Sequence, residues 1–205
     1  MAAGEVTKSK TWTTIKDGVW RDHPIFSMLL GICSALAVSN RVENAIAMSA
    51  GVTFVLVATA ILISGLRNFI PQRIRMITYM LIIASFVIIV DKFLKAFYPV
   101  ISESIGPYVG LIITNCIIMG RCEAFYIQNN SFQSIVDALA NGFGYTYTLV
   151  SIAVVREFLG FGTILRFEVM PQGATRWVVM AMAPGAFFVL TIFIWITRTV
   201  AKKEI

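Results

Sequence analysis

The sequence predicts an all-α integral membrane protein with six transmembrane helices. Hydrophobic residues make up 58% of its 205 residues, and the mean hydropathy is +0.79. Charged residues account for 14% of the chain, whereas a soluble domain carries about 25%. The polar surface that a soluble globule needs is missing, so lipid must cover much of the chain.

Six apolar segments account for the predicted spans. They are Pro24–Asn40, Ala45–Leu66, Met76–Tyr98, Pro107–Gly120, Ala138–Val155 and Trp177–Thr197. The second has 22 uncharged residues, enough to cross a hydrocarbon core of about 30 Å. The fourth is uncharged from Ser104, but the Gly106-Pro107 pair predicts that its helix begins at Pro107. We therefore expect one membrane domain over residues 24–199, followed by a tail over residues 200–205.

The N-terminal segment, residues 1–23, contains no apolar stretch typical of a cleavable signal peptide. An apolar stripe recurs there at helical spacing, formed by Trp12, Ile15, Val19 and Trp20. The segment is therefore either a short helix on the membrane surface or a polar tail.

The basic residues predict the orientation of the chain. With six crossings, the side that holds both termini carries eleven of the 17 lysines and arginines, and the other side carries six. By the positive-inside rule, both termini face the cytoplasm, and we expect a bacterial cytoplasmic (inner) membrane. Because these residues flank apolar segments, the net charge of +6 does not indicate a nucleic-acid partner.

The first and fourth segments match each other at an offset of 83 residues. Pro24 corresponds to Pro107 and Cys33 to Cys116, and each cysteine lies nine residues after its proline. Both segments are also short for a membrane span. Paired short or interrupted segments of this kind indicate a functional site near the membrane midplane.

The second and fifth segments match at their ends. Leu66–Ile70 resembles Val155–Leu159 at an offset of 89 residues, which implies about six additional residues near Gln128–Ser134. Each half then contains three segments, so the second half enters the membrane from the opposite side. The sequence therefore predicts two inverted three-helix repeats in which helices 1 and 4 are short or half-spanning.

The matched cysteines, Cys33 and Cys116, have three conceivable uses. They could form a disulfide, pack as small hydrophobic side chains, or bind a metal centre as thiolates. Iron–sulfur clusters usually take four cysteine ligands, so two would have to come from a partner, most simply a related protein with the same repeat. Cys122 lies beside Arg121 and Glu123, and we expect it at the membrane interface without a role.

Five stretches closely resemble the Nqr/Rnf family of integral membrane proteins. They are Leu30–Val38, Val109–Arg121, Asn141–Tyr145, Val155–Gly160 and Ala183–Phe188. The family includes membrane components of the sodium-translocating NADH:quinone reductase and the E subunit of the Rnf ferredoxin:NAD oxidoreductase. The Rnf relatives typically have proline after the first cysteine, where this chain has Ser34, so the resemblance favours the quinone reductase.

The resemblance implies a site and partners. The cysteines that match Cys33 and Cys116 would ligate a [2Fe–2S] cluster together with two cysteines of the reductase's own E subunit, a homologous protein of opposite orientation. The cluster would relay electrons from cytoplasmic flavin and iron–sulfur subunits to a flavin on the outer side, in a complex that pumps Na⁺. The family usually has alanine where this chain has Cys122. The chain itself would carry no complete active site.

Other candidate residues have a structural alternative beside the functional one. Asp91 lies within an apolar segment, where a carboxylate indicates cation handling, but Lys92 and Lys95 favour an ion pair. The matched Arg67 and Arg156 are interpreted as topology anchors. As alternatives of another class, the chain could be a secondary transporter, which would place polar residues at its helix breaks, or a structural subunit.

Overall fold

The computed structural model describes residues 30–164, 167–168 and 182–203. The α-helices in this part of the chain are α1 Ile32–Val38, α2 Val42–Leu66, α3 Arg75–Phe97, α4 Pro99–Ile113, α5 Cys116–Arg121, α6 Ser131–Phe161 and α7 Ala183–Lys203. A 3₁₀ turn, Gln72–Ile74, precedes α3, and a π-helical turn, Cys122–Tyr126, follows α5. Two short antiparallel strands, β1 Thr163–Ile164 and β2 Phe167–Glu168, follow α6. The predicted N-terminal segment 1–23 lies outside the described residues.

Within the described residues, four helical stretches are long and apolar enough to cross a membrane. They are Val42–Leu66, Gln72–Phe97, Gly106–Tyr126 and Ser131–Gly160, and a shorter apolar helix covers Pro184–Thr199. The prediction of an all-α, multi-pass membrane protein is therefore confirmed. The first predicted span is described only from Leu30 onward, and the last only from Met182.

Helices α2 and α6 make the most extensive contact among the described helices. They run antiparallel, because Glu157 near the end of α6 accepts a 2.7 Å hydrogen bond from the backbone N–H of Val42 at the start of α2. At the other end, the Ser64 and Ser131 hydroxyls lie 3.1 Å apart. Gly142 permits this approach, because a Cβ there would lie 2.7 Å from Thr53 Cγ2. This antiparallel pair is the centre of the fold.

Helix α3 presents one stripe to the protein and the rest of its surface outward. Its buried residues recur at helical spacing, and they are Tyr79, Ile83, Val87 and Val90. Ile77 and Leu81 are instead 70% and 68% exposed. A helix with this much exposed apolar surface is typical of one that contacts lipid.

The fourth predicted segment differs from the structure in two ways. Helix α4 passes through Pro107 and begins at Pro99, so the prediction that Gly106-Pro107 starts the helix is wrong. Proline is tolerated inside membrane helices because neighbouring groups can satisfy the freed carbonyl. The segment is also interrupted in its middle, since α4 ends at Ile113 and α5 begins at Cys116.

The fifth predicted segment is longer than expected. Helix α6 extends over 31 residues, from Ser131 to Phe161, and not only over Ala138–Val155. Its polar residues near both ends, Asp137 and Arg156, are 2% exposed. Because these side chains are buried inside the protein, they do not mark the ends of the helix.

Candidate functional site

Both matched cysteines lie in the first turn of a short helix. Cys33 is the second residue of α1, which begins after Gly31, a residue in the left-handed conformation at φ 81°. Cys116 is the first residue of α5, where the Asn115 side chain accepts a 3.1 Å hydrogen bond from the backbone N–H of Ile117. The first start needs glycine because a side chain is strained at positive φ, whereas the second uses a side-chain cap.

The three cysteines differ in exposure, and all three are free thiols. Cys33 is exposed, Cys116 is partly buried and Cys122 is fully buried. The two matched thiols therefore remain accessible to a ligand or a partner. Cys122 packs in the protein core at the start of the π-helical turn and not at an exposed interface, so it behaves as a small hydrophobic side chain.

The segments that carry Cys33 and Cys116 lie against each other beside α6. A Cβ at Gly31 would lie 2.6 Å from Ile117 Cδ1 and 3.3 Å from Tyr145 Cε2. These contacts join the start of α1 to the first turn of α5. The structure thus brings together the two regions that the sequence matched.

The described residues offer two thiols at this place and no larger donor set. Among them, no group of three or more histidine, cysteine, aspartate or glutamate side chains is arranged to hold a metal ion. A cluster with four thiolate ligands on Cys33 and Cys116 would therefore need two ligands from another chain. The exposed side chain of Cys33 fits a site that a partner completes.

Asp91 forms an ion pair on the surface of α3. Lys95 Nζ donates to Asp91 Oδ2 at 2.7 Å, one helical turn away, and the Lys95 side chain is 56% exposed. This contact is the structural alternative that the sequence offered for Asp91. His23 lies outside the described residues.

The matched arginines hold turns inside the protein. Arg156 is 2% exposed, and its Nη1 donates to Ser39 Oγ at 2.5 Å and to the Leu36 carbonyl at 3.3 Å. Arg67 Nη1 donates to the Asn129 carbonyl at 3.3 Å. Each arginine therefore bonds a turn that precedes a long helix, α2 in one case and α6 in the other.

A buried polar cluster joins α5 to α6, and sequence reasoning missed it. Arg121 Nη2 donates to Asn141 Oδ1 at 2.7 Å, and Arg121 Nη1 lies 3.6 Å from Asp137 Oδ1. All three residues are buried. From the sequence, Asp137 was expected in a loop or at a helix end. The four-residue spacing of Asp137 and Asn141, which places both on one helix face, was the available signal.

The long apolar helices and the paired thiols on adjacent short helices define a multi-span membrane protein with a site built at its helix starts. A family model described as "Rnf-Nqr subunit, membrane protein" matches residues 11–194. The chain belongs to the Rnf-Nqr family, as the resemblance of its sequence predicted.

Curated relatives are similar along nearly the whole chain, and three of them are named as the D subunit of the Na⁺-translocating NADH-quinone reductase. The protein of Chlamydia felis (strain Fe/C-56) is 41% identical over 198 residues, which cover 92% of this chain and 93% of the relative. That of Chlamydia trachomatis serovar L2 is 41% identical over 210 residues, with 97% and 99% covered. That of Psychromonas ingrahamii is 42% identical over 189 residues, with 90% of each covered.

Proposed function

We propose that this chain is the D subunit of a Na⁺-translocating NADH:quinone reductase in a bacterial cytoplasmic membrane, with both termini in the cytoplasm. Relatives with that name are similar to it over at least 90% of both lengths. Ser34, in place of the proline of the Rnf relatives, favours this complex over Rnf. The activity belongs to the assembled enzyme, to which this chain contributes a membrane component.

Within that complex, Cys33 and Cys116 supply two of the four ligands of a [2Fe–2S] cluster, and a homologous protein, the E subunit of the same reductase, supplies the other two. The observation that carries this proposal is that both thiols lie in the first turn of short helices that contact each other. When bound, the cluster would accept and pass on one electron at a time.

The residues of this chain fix where the thiols lie. Gly31 allows α1 to approach Ile117 on α5, and Arg156 holds the turn that follows α1. Because these contacts are internal, the two ligands keep their positions while a partner docks. The chain thereby contributes to electron transfer across the membrane, alongside the flavin and iron–sulfur subunits of the complex.

The proposal includes an inverted repeat, supported by helix positions. Helices α2 and α6 begin at Val42 and Ser131, which are 89 residues apart, the offset at which the ends of segments 2 and 5 match. Their antiparallel packing fits a repeat that enters the membrane from opposite sides. The six additional residues fall between Cys116 and Ser131, where the π-helical turn lies, and so begin upstream of Gln128.

The test compares variants of the three cysteines in the purified complex. Iron, acid-labile sulfide and the EPR spectrum after reduction are measured for Cys33→Ala, Cys116→Ala and Cys122→Ala. We expect the first two variants to lose the cluster signal and its iron. Cys122→Ala is the matched control and should keep both, because Cys122 packs in the core.

The opposite result would support the other classes of function. If the complex keeps all its iron and its electron transfer without Cys33 and Cys116, the cluster proposal is wrong. The chain would then act as a secondary transporter or as a structural component whose cysteines only pack.

A further inference from the structure

Three polar side chains lie where the two short helices meet, next to the matched cysteines. Ser34 follows Cys33 and Asn115 precedes Cys116, and each is 3% exposed. Tyr145 reaches them from α6 and is fully buried. Polar groups within a membrane span must be satisfied inside the protein, so the bonds among these three side chains constrain the local structure.

Tyr145 connects α6 to the start of α1. Its hydroxyl donates a 2.8 Å hydrogen bond to Ser34 Oγ, and the Ser34 hydroxyl donates in turn to the Gly31 carbonyl at 2.9 Å. The Tyr145 ring packs against Gly31, where a Cβ would lie 3.3 Å from Cε2. The hydroxyl therefore holds the residues on both sides of Cys33.

The same hydroxyl lies beside the start of α5. It is close enough to the Asn115 side chain and to the Cys116 thiol to interact with both. One group on α6 thus contacts the neighbours of both thiols.

Asn115 has a spare donor at this place. Its Oδ1 accepts from the Ile117 N–H, which fixes the orientation of the amide, because the reversed amide would place two donors together. Its Nδ2 forms no hydrogen bond of ordinary geometry among the described residues, although it is buried. A buried donor without an acceptor is rare, so the neighbourhood of Cys116 is built for a group that this chain does not supply.

We propose that Tyr145 is a positioning residue for Cys33 and Cys116, whose hydroxyl, through Ser34 and Asn115, sets how the two thiols are presented to the metal centre. This inference rests on the proposed function, in which both thiols are ligands. A tyrosine that only filled space here would be replaceable by phenylalanine without effect on the metal centre. The hydrogen bond to Ser34 argues against that alternative.

The test uses the full complex with Tyr145→Phe. We expect the iron content to stay unchanged, while the EPR g values and the midpoint potential of the cluster shift, because hydrogen bonding around the ligands tunes both. Ser34→Ala removes the other partner of the same hydrogen bond and should reproduce the shift. It also keeps the test open if Tyr145→Phe fails to assemble.

Tyr126→Phe is the matched control. The Tyr126 hydroxyl is also buried, but it has no hydrogen-bond partner among the described residues. Its removal should leave the g values and the potential as they are. If Tyr145→Phe and Ser34→Ala match this control while Cys33→Ala loses the cluster, the inference is wrong and the proposed function stands. If Cys33→Ala keeps the cluster, the proposed function itself is wrong.

Discussion

The two short helices that carry the matched cysteines, α1 and α5, begin in different ways. Helix α1 starts at a left-handed glycine, Gly31, and has no side-chain cap. Helix α5 starts at Asn115, whose side chain caps it, and it continues directly into the π-helical turn. Two different local solutions therefore place a cysteine in a first helical turn. The placement of the thiol is common to both halves, whereas the chemistry that achieves it is not.

The anchors that follow these helices also differ. Arg156 is buried and bonds the turn after α1 through Ser39, Leu36 and also Met182. Arg67 is partly exposed and makes one 3.3 Å bond to Asn129 in the turn before α6. The first half thus depends on a rigid backbone start and a buried anchor, and the second on a side-chain cap and a weaker anchor. Four substitutions test this difference.

Gly31→Ala should have the largest effect. A left-handed conformation costs a non-glycine residue about 1–2 kcal/mol, and overpacking against Ile117 adds about 1–3 kcal/mol. We expect a free energy of unfolding lower by roughly 3 kcal/mol, measured by SDS titration in mixed micelles. Gly110→Ala is the control, because a Cβ there meets no atom within 4 Å. Equal losses for both variants would contradict the tight approach at Gly31.

Arg156→Ala should destabilise the protein by about 2 kcal/mol, since hydrogen bonds from a charged donor contribute about 1.5–3 kcal/mol each and part of the loss is relieved by relaxation. The same titration measures the loss. Arg156→Lys keeps the charge but cannot reproduce the forked geometry of the guanidinium, so we expect it to recover only part of the stability. Full recovery with lysine would show that charge alone anchors the turn after α1.

Asn115→Ala should cost about 1 kcal/mol, the usual loss when a helix loses its side-chain cap. Asn115→Ser retains a capping oxygen and should recover most of that stability. Both are compared with the unsubstituted chain in the same detergent. A loss with serine as large as that with alanine would mean that Asn115 contributes through contacts other than the cap.

Arg67→Ala should have the smallest effect, below about 0.6 kcal/mol, the average for polar contacts between membrane helices. Its single long bond and its partial exposure are the reasons. A double variant with Arg156→Ala should show additive losses, because the two arginines bond turns on different parts of the chain. A loss equal to that of Arg156→Ala would remove the distinction between the two anchors.

The long central segments could be predicted closely from the sequence. The prediction Ala45–Leu66 differs from α2 by three residues at one end, and Met76–Tyr98 differs from α3 by one residue at each end. Long uncharged runs between charged or polar residues determine these helices, because the length of the hydrocarbon core leaves little choice.

The interior of the site could be predicted only in part. The proline-to-cysteine spacing identified Cys33 and Cys116, but the start of α5 at Asn115 was not found, since one polar residue in an apolar run does not signal a helix end. Tyr145 was also missed as a partner of Ser34, because that contact joins residues 111 positions apart. Contacts across such separations depend on helix packing and leave no local pattern.

The close approach at Gly142 has a consequence for the whole chain. Tyr145 lies one turn further along α6, so a side chain at position 142 would push against Thr53 and lever the tyrosine away from Ser34. Crowding between two lipid-embedded helices would then be felt as altered redox behaviour at thiols that neither helix carries. Glycine at this position thus links the packing distance of α2 and α6 to the electronic environment of the site.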